Sequence, residues 1–131
     1  MRYFAMLLVG LFIGSLGAVA GLSALRQGTP YNDALMSMMR HQVVALQAAY
    51  ENNQCAPEEI SRRFSLMAAA ASEIDAAFLP VGDDARFREL SGNLRDALVQ
   101  VQAGPITTCP ALKQAMGDVG QHCKGCHDVF R

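Results

Sequence analysis

The sequence predicts an all-α protein: an antiparallel four-helix bundle preceded by an N-terminal hydrophobic helix. Three observations carry that expectation. Four segments repeat apolar side chains at alternating spacings of three and four, the period of one helix face. The breaks between them are short and hold prolines and glycines that stop helices. No stretch alternates apolar and polar residues as a half-buried strand does. At 131 residues the chain has room for one domain with a real core.

The first element is residues 3–25, "YFAMLLVGLFIGSLGAVAGLSAL", which contain no charge, with Arg2 before them and Arg26 after. Two readings compete. Ala18-Val19-Ala20 before Gly21 suits the cleavage site of a secretory signal. Signal cores run to about 15 residues, however, whereas a membrane-spanning helix needs roughly 20. The length favours an uncleaved anchor in the inner membrane. The flanking arginines balance, so charge bias barely sets the orientation. Both readings export the remainder, either tethered to the inner membrane or soluble in the periplasm after cleavage. The expected division is therefore residues 1–26 as anchor or signal peptide and 27–131 as the bundle.

The first bundle helix is expected to begin near Thr29-Pro30, a threonine cap followed by proline at the first helical position. It presents Leu35, Met36, Met39, Val43, Leu46 and Tyr50, and "ENNQCAP" ends it. Pro57-Glu58-Glu59 opens the second helix, with acids where the macrodipole favours them. Its stripe is Ile60, Phe64, Met67, Ala71, Ile74 and Phe78. "LPVGDD" ends that helix, and Asp83 or Asp84 can cap the third, which carries Phe87, Leu90, Leu94, Ala97, Leu98 and Val101. After "AGPITTCP" the fourth helix lines up Leu112, Met116, Val119, Cys123, Cys126 and Phe130. Short connections make consecutive helices antiparallel.

Several function classes drop out. A net charge of −1 and the lack of a basic stripe argue against a nucleic-acid partner. There is no Gly-rich phosphate loop and no internal repeat. No acid/base pair or nucleophile constellation marks the chain as an enzyme in its own right. Arg62-Arg63 and Arg86-Phe87-Arg88 read as solvated faces that offer, at most, a place for an acidic redox partner to dock.

The chemistry lies in "HCKGCHDVFR" near the carboxyl end. Two cysteines three apart, with histidine directly after, share one face of a helix. Each thiol can add to a haem vinyl group as a thioether, and the adjacent imidazole is positioned to ligate the iron; the pattern is that of c-type haem attachment. A thioredoxin-type dithiol starts a helix after a strand, whereas this pair ends a helix in an all-helical chain. A structural zinc site needs a fourth ligand, and only His122 is near, on the wrong face. One covalently attached haem c is the expected cofactor. The other two cysteines, Cys55 and Cys109, fall in breaks that this topology brings to the opposite end of the bundle, and in an exported domain they are expected to pair as a structural disulfide.

A four-helix bundle ending in "CKGCHDVFR" resembles the cytochrome c′ / cytochrome c-556 family, the class II cytochromes c, over roughly residues 30–131. The resemblance implies that Cys123 and Cys126 form the thioethers and that His127 is the proximal iron ligand. It matches Phe130 and Arg131 to the aromatic and basic residues that follow. In that family the distal haem face meets the first helix at a pattern like Arg-x-x-x-Met/Leu. Over "YNDALMSMM" the distal position falls on Met36 and the arginine on Asn32, a departure from the pattern. Leu35 neighbours that position, and Met39, one turn on, is the alternative to Met36. Because the start of helix one and the end of helix four share an end, Met36 and His127 can face each other.

Two functions follow from the resemblance. With Met36 on the iron opposite His127, the raised potential suits a carrier passing single electrons between redox proteins, or a subunit held in a membrane respiratory complex. With Met36 as pocket lining, the iron stays five-coordinate and suits nitric oxide or carbon monoxide. The family also implies a possible homodimer through the first two helices, where "AAAASEIDAA" supplies small residues for close approach. His41, about 140° around the helix from Met36, and His122 are expected at the surface.

Overall fold

In a computed structural model of the protein, the structure describes Gly10, Gly14, Ser15 and residues 30–130. The chain divides into two compact units, Met1–Pro30 and Tyr31–Arg131. The second contains α1 (Tyr31–Glu51), α2 (Pro57–Ser72), the short α3 (Ile74–Ala77), a 3-10 turn (Val81–Asp83), α4 (Ala85–Gln102) and α5 (Cys109–His127). No strand occurs among the described residues. Helix α1 packs on α2 and α5, and α4 packs on α2 and α5, so the long helices close into a ring. The seam between α1 and α5 is the least extensive of the four. Apart from Gly10, Gly14 and Ser15, the expected anchor over 3–25 lies outside the described residues, as does the expected cap Thr29. Among the described residues no helix is long and apolar enough to cross a membrane.

Each long helix buries the stripe its spacing predicts. Leu35, Met39 and Leu46 of α1 meet Ile60, Phe64 and Met67 of α2, Phe87, Leu94 and Leu98 of α4, and Leu112 and Val119 of α5 in one core. Burying side chains of this size is worth about 1.5–3 kcal/mol each. Two expectations need correcting. Val43 is 41% exposed, and Gln42 is buried instead. Arg63 of α2 reaches across the seam, donating to Gln42 Oε1 at 3.0 Å while pairing with Glu59 at 2.6 Å, so the amide is buried with a partner. Arg63 is thus a bracing residue between α1 and α2, not part of a solvated face. Arg62, Arg86 and Arg88 remain well exposed.

The second correction concerns α2, whose stripe does not continue unbroken to Phe78. It ends at Ser72, where the Glu73 amide bonds back to Ala70 in a tightened turn, and the chain resumes as α3. Asp75 of α3 accepts from the buried Ser91 hydroxyl of α4 at 2.5 Å and pairs with Arg95 at 3.1 Å. The 3-10 turn then packs so closely that a Cβ on Gly82 would stand 1.9 Å from the Asp75 carbonyl oxygen. Only glycine fits there.

The helix ends follow local rules. Helix α1 closes with Asn53 at φ 57°, while the Gln54 amide bonds to Ala49 and the Asn53 amide to Tyr50, a Schellman motif with asparagine in the left-handed position. Asp84 caps α4, accepting from the Arg86 and Phe87 amides at 2.7 and 3.0 Å. Thr108 caps α5, accepting from the Ala111 amide at 3.3 Å. The expected staple is present: Cys55 and Cys109 form a disulfide with Cα atoms 5.4 Å apart.

Candidate functional site

The motif sits in the last turn of α5. Cys123 and Cys126 are uncrosslinked and half-buried, and His127, the final helical residue, is exposed. At about 100° per residue, the three side chains span an arc of about 100°. That arc contains the core-facing line of Leu112 and Val119, with His127 at its edge toward α1. Asp128 caps the helix through its amide, bonded to Lys124 and Cys126 carbonyls, and its carboxylate pairs with Lys124 at 2.5 Å. The Lys124 ammonium in this last turn sits where the macrodipole favours a cation.

Burial pushes both thiols up from their usual pKa, and at Cys123 the neighbouring Cys126 adds to the effect. Reactive dithiols work the opposite way, with a thiolate stabilised at a helix N-terminus. These two are protonated at neutral pH, at a helix C-terminus and half-sheltered from solvent. Among the described residues no group of three or more His, Cys, Asp or Glu is placed to hold a bare metal ion. The donors present are two free thiols one turn apart with an accessible imidazole beside them. This set fits a haem attached through thioethers.

An aromatic cluster supports this end of the bundle. Phe130, just past α5, meets Phe87 of α4 edge-on at 5.2 Å, and Phe87 meets Phe78 at 5.7 Å. By spacing alone, Phe87 and Phe78 read only as core positions. Their contact with Phe130 joins α4 and the α3 turn to the chain just beyond His127. Arg131 lies outside the described residues.

The relation between α1 and α5 can be fixed by one contact. The Lys113 ammonium of α5 lies 5.7 Å from the centre of the Tyr50 ring of α1. Met36 is fourteen residues before Tyr50, and His127 is fourteen after Lys113. The helices are antiparallel, so both steps run about 21 Å toward the same end and nearly four whole turns around. Met36 and His127 therefore stand at one level, on the flanks that α1 and α5 turn toward each other. Gln42 bonds to α2 from the opposite flank of α1.

Met36 is half-buried and packs against the edge of the core, with Asn32 half-buried one turn earlier on the same flank. Met39 and Leu35 are core residues, 6% and 5% exposed. Met38 is 42% exposed, and His41 is exposed. His122 is half-buried and lines a shallow groove between α4 and α5 with Val101, Ile106 and Asp118, away from the α1 seam.

The family model described as Cytochrome C′ matches residues 82–131, which span α4, α5 and the whole attachment motif. No curated protein matches the chain. The matched segment contains Cys123, Cys126 and His127, whereas Met36 lies outside it. That family's proteins carry covalently bound haem c. The match over residues 82–131, within an all-helical bundle, supports the cytochrome c′ family reading of the chain.

Proposed function

We propose that the protein is a haem c electron carrier of the periplasm, tethered to the inner membrane by residues 3–25, and that it exchanges single electrons with redox proteins rather than acting as an enzyme. Cys123 and Cys126 would hold one haem covalently, and His127 would supply a nitrogen ligand to its iron. When bound, the haem supplies the iron(II)/iron(III) couple. The chain's own residues set how it is used. Met36 would offer its thioether to the iron as a second protein ligand, and the core residues Leu35 and Met39 would keep water from that side. Phe87 and Phe130 pack the turn beyond His127, and Lys124–Asp128 braces the helix end on which the imidazole stands.

The observation that carries the choice of electron transfer over gas binding is the shared level of Met36 and His127 across the α1–α5 seam, with Met36 half-free and Met39 committed to the core. A sulfur ligand fills the sixth position and raises the potential, which suits electron transfer. The test is optical. The wild-type haem is expected to be low-spin, with the weak far-red ferric band of histidine–methionine ligation. Met36→Ala should remove that band, lower the potential and admit carbon monoxide, while Met39→Ala keeps the band. A wild-type protein that is high-spin and binds carbon monoxide at once would make Met36 a lining residue and the protein a gas binder.

A further inference from the structure

The two ends of the bundle differ in what their tips show to solvent. At the end distant from the motif, the chain turns through Glu51-Asn52-Asn53-Gln54 and through Gly104-Pro105 and Thr107-Thr108, which are exposed and free of large apolar side chains. At the motif end the tips are apolar. Leu79 is 60% exposed and Val81 44%, on either side of the exposed Pro80, and Tyr31 and Val129 are 58% and 55% exposed. The adjoining Phe78–Phe87–Phe130 cluster puts Leu79, Val81 and Val129 at one end, and α3 packs on α1, which begins at Tyr31. Apolar side chains gathered on loop tips mark a surface that meets another apolar phase.

The chain's own sequence says which phase. Residues 26–30 are all that separate the uncharged stretch 3–25 from Tyr31, and five residues fully extended reach at most about 17 Å. We infer that the collar of Leu79, Val81, Val129 and Tyr31 rests on the lipid interface, so that the haem end of the bundle faces the membrane. This inference rests on the reading of residues 3–25 as an uncleaved anchor. The charges around the collar largely answer one another, Arg86 with Glu89, Lys124 with Asp128 and Arg88 with Asp83, so the contact is apolar rather than electrostatic. It follows that electrons enter or leave at the membrane surface, from a partner embedded in the bilayer or a lipophilic carrier dissolved in it.

The experiment uses the full-length holoprotein reconstituted into phosphatidylcholine vesicles, with a nitroxide on Leu79→Cys, on Val81→Cys, or on Val99→Cys. Val99 is 65% exposed near the other end of α4 and serves as the reference. Power-saturation EPR compares collisions with oxygen, which concentrates in lipid, and with a water-soluble nickel chelate. The labels at 79 and 81 should shift toward oxygen relative to the label at 99, and high salt should leave the shift unchanged. If all three labels meet the nickel chelate equally while the protein stays with the vesicles through an alkaline wash, the collar inference falls and the anchor stands. If the wash strips the protein from the vesicles, the anchor reading and the inference fall together.

Discussion

The end of the bundle that holds Cys55 and Cys109 is locked, and the end that holds Cys123 and Cys126 is not. At the first end a disulfide, a Schellman turn, a threonine cap and the Lys113–Tyr50 contact join α1, α2 and α5. At the second, three phenylalanines and a serine–aspartate–arginine network do the joining, all of it noncovalent. There the cysteines and Met36 stay half-buried and His127 exposed. The contrast teaches where stability and reactivity are placed. Four cysteines in one chain carry a risk of mispairing. Standing at opposite ends of α5, about 27 Å apart, Cys109 and His127 divide the helix into a structural start and a functional finish.

That division can be broken from either side. The largest effect is expected from Phe87→Ala, which empties the centre of the aromatic cluster. It should cost about 3–5 kcal/mol in chemical denaturation and also alter the haem spectrum, because Phe130 loses its packing partner. Cys55→Ser should follow closely. The disulfide closes a loop with a sequence separation of 54 residues, worth on the order of 4 kcal/mol in the chain-entropy picture. Its mark is a lowered melting temperature with an unchanged spectrum. Combined, the two changes should add within about 0.5 kcal/mol, and a larger coupling energy would show that the ends are not independent. Asp84→Ala is the smallest, at about 1 kcal/mol from the lost α4 cap, again measured by denaturation.

Much of this architecture was legible in the sequence. Ile60, Phe64 and Met67, or Leu112 and Val119, announce themselves by spacing, and the cap at Asp84 is one of the two acids, Asp83 and Asp84, that precede an apolar run. The pentapeptide at 123–127 is legible because its chemistry needs those residues at that spacing and few other uses do. What spacing could not supply was anything decided across a seam. Gln42 looks like a surface residue until Arg63 arrives from α2, and Val43 then yields its place. The interruption at Glu73 is invisible in an alanine-rich stretch with good helix propensity, since it accompanies bonds from Asp75 to Ser91 and Arg95 on another helix. The level shared by Met36 and His127 needed the Tyr50–Lys113 contact to set the register.

The central claim is that Cys123 and Cys126 hold one haem by covalent bonds, and an intact mass after acid–acetone extraction tests it most directly. Protein made in cells competent for cytochrome c maturation should keep the added mass of a single haem after extraction. The same measurement on a chain carrying both Cys123→Ser and Cys126→Ser should show the polypeptide alone. A wild-type chain whose haem passes into the acetone, or whose mass never included one, would contradict the account.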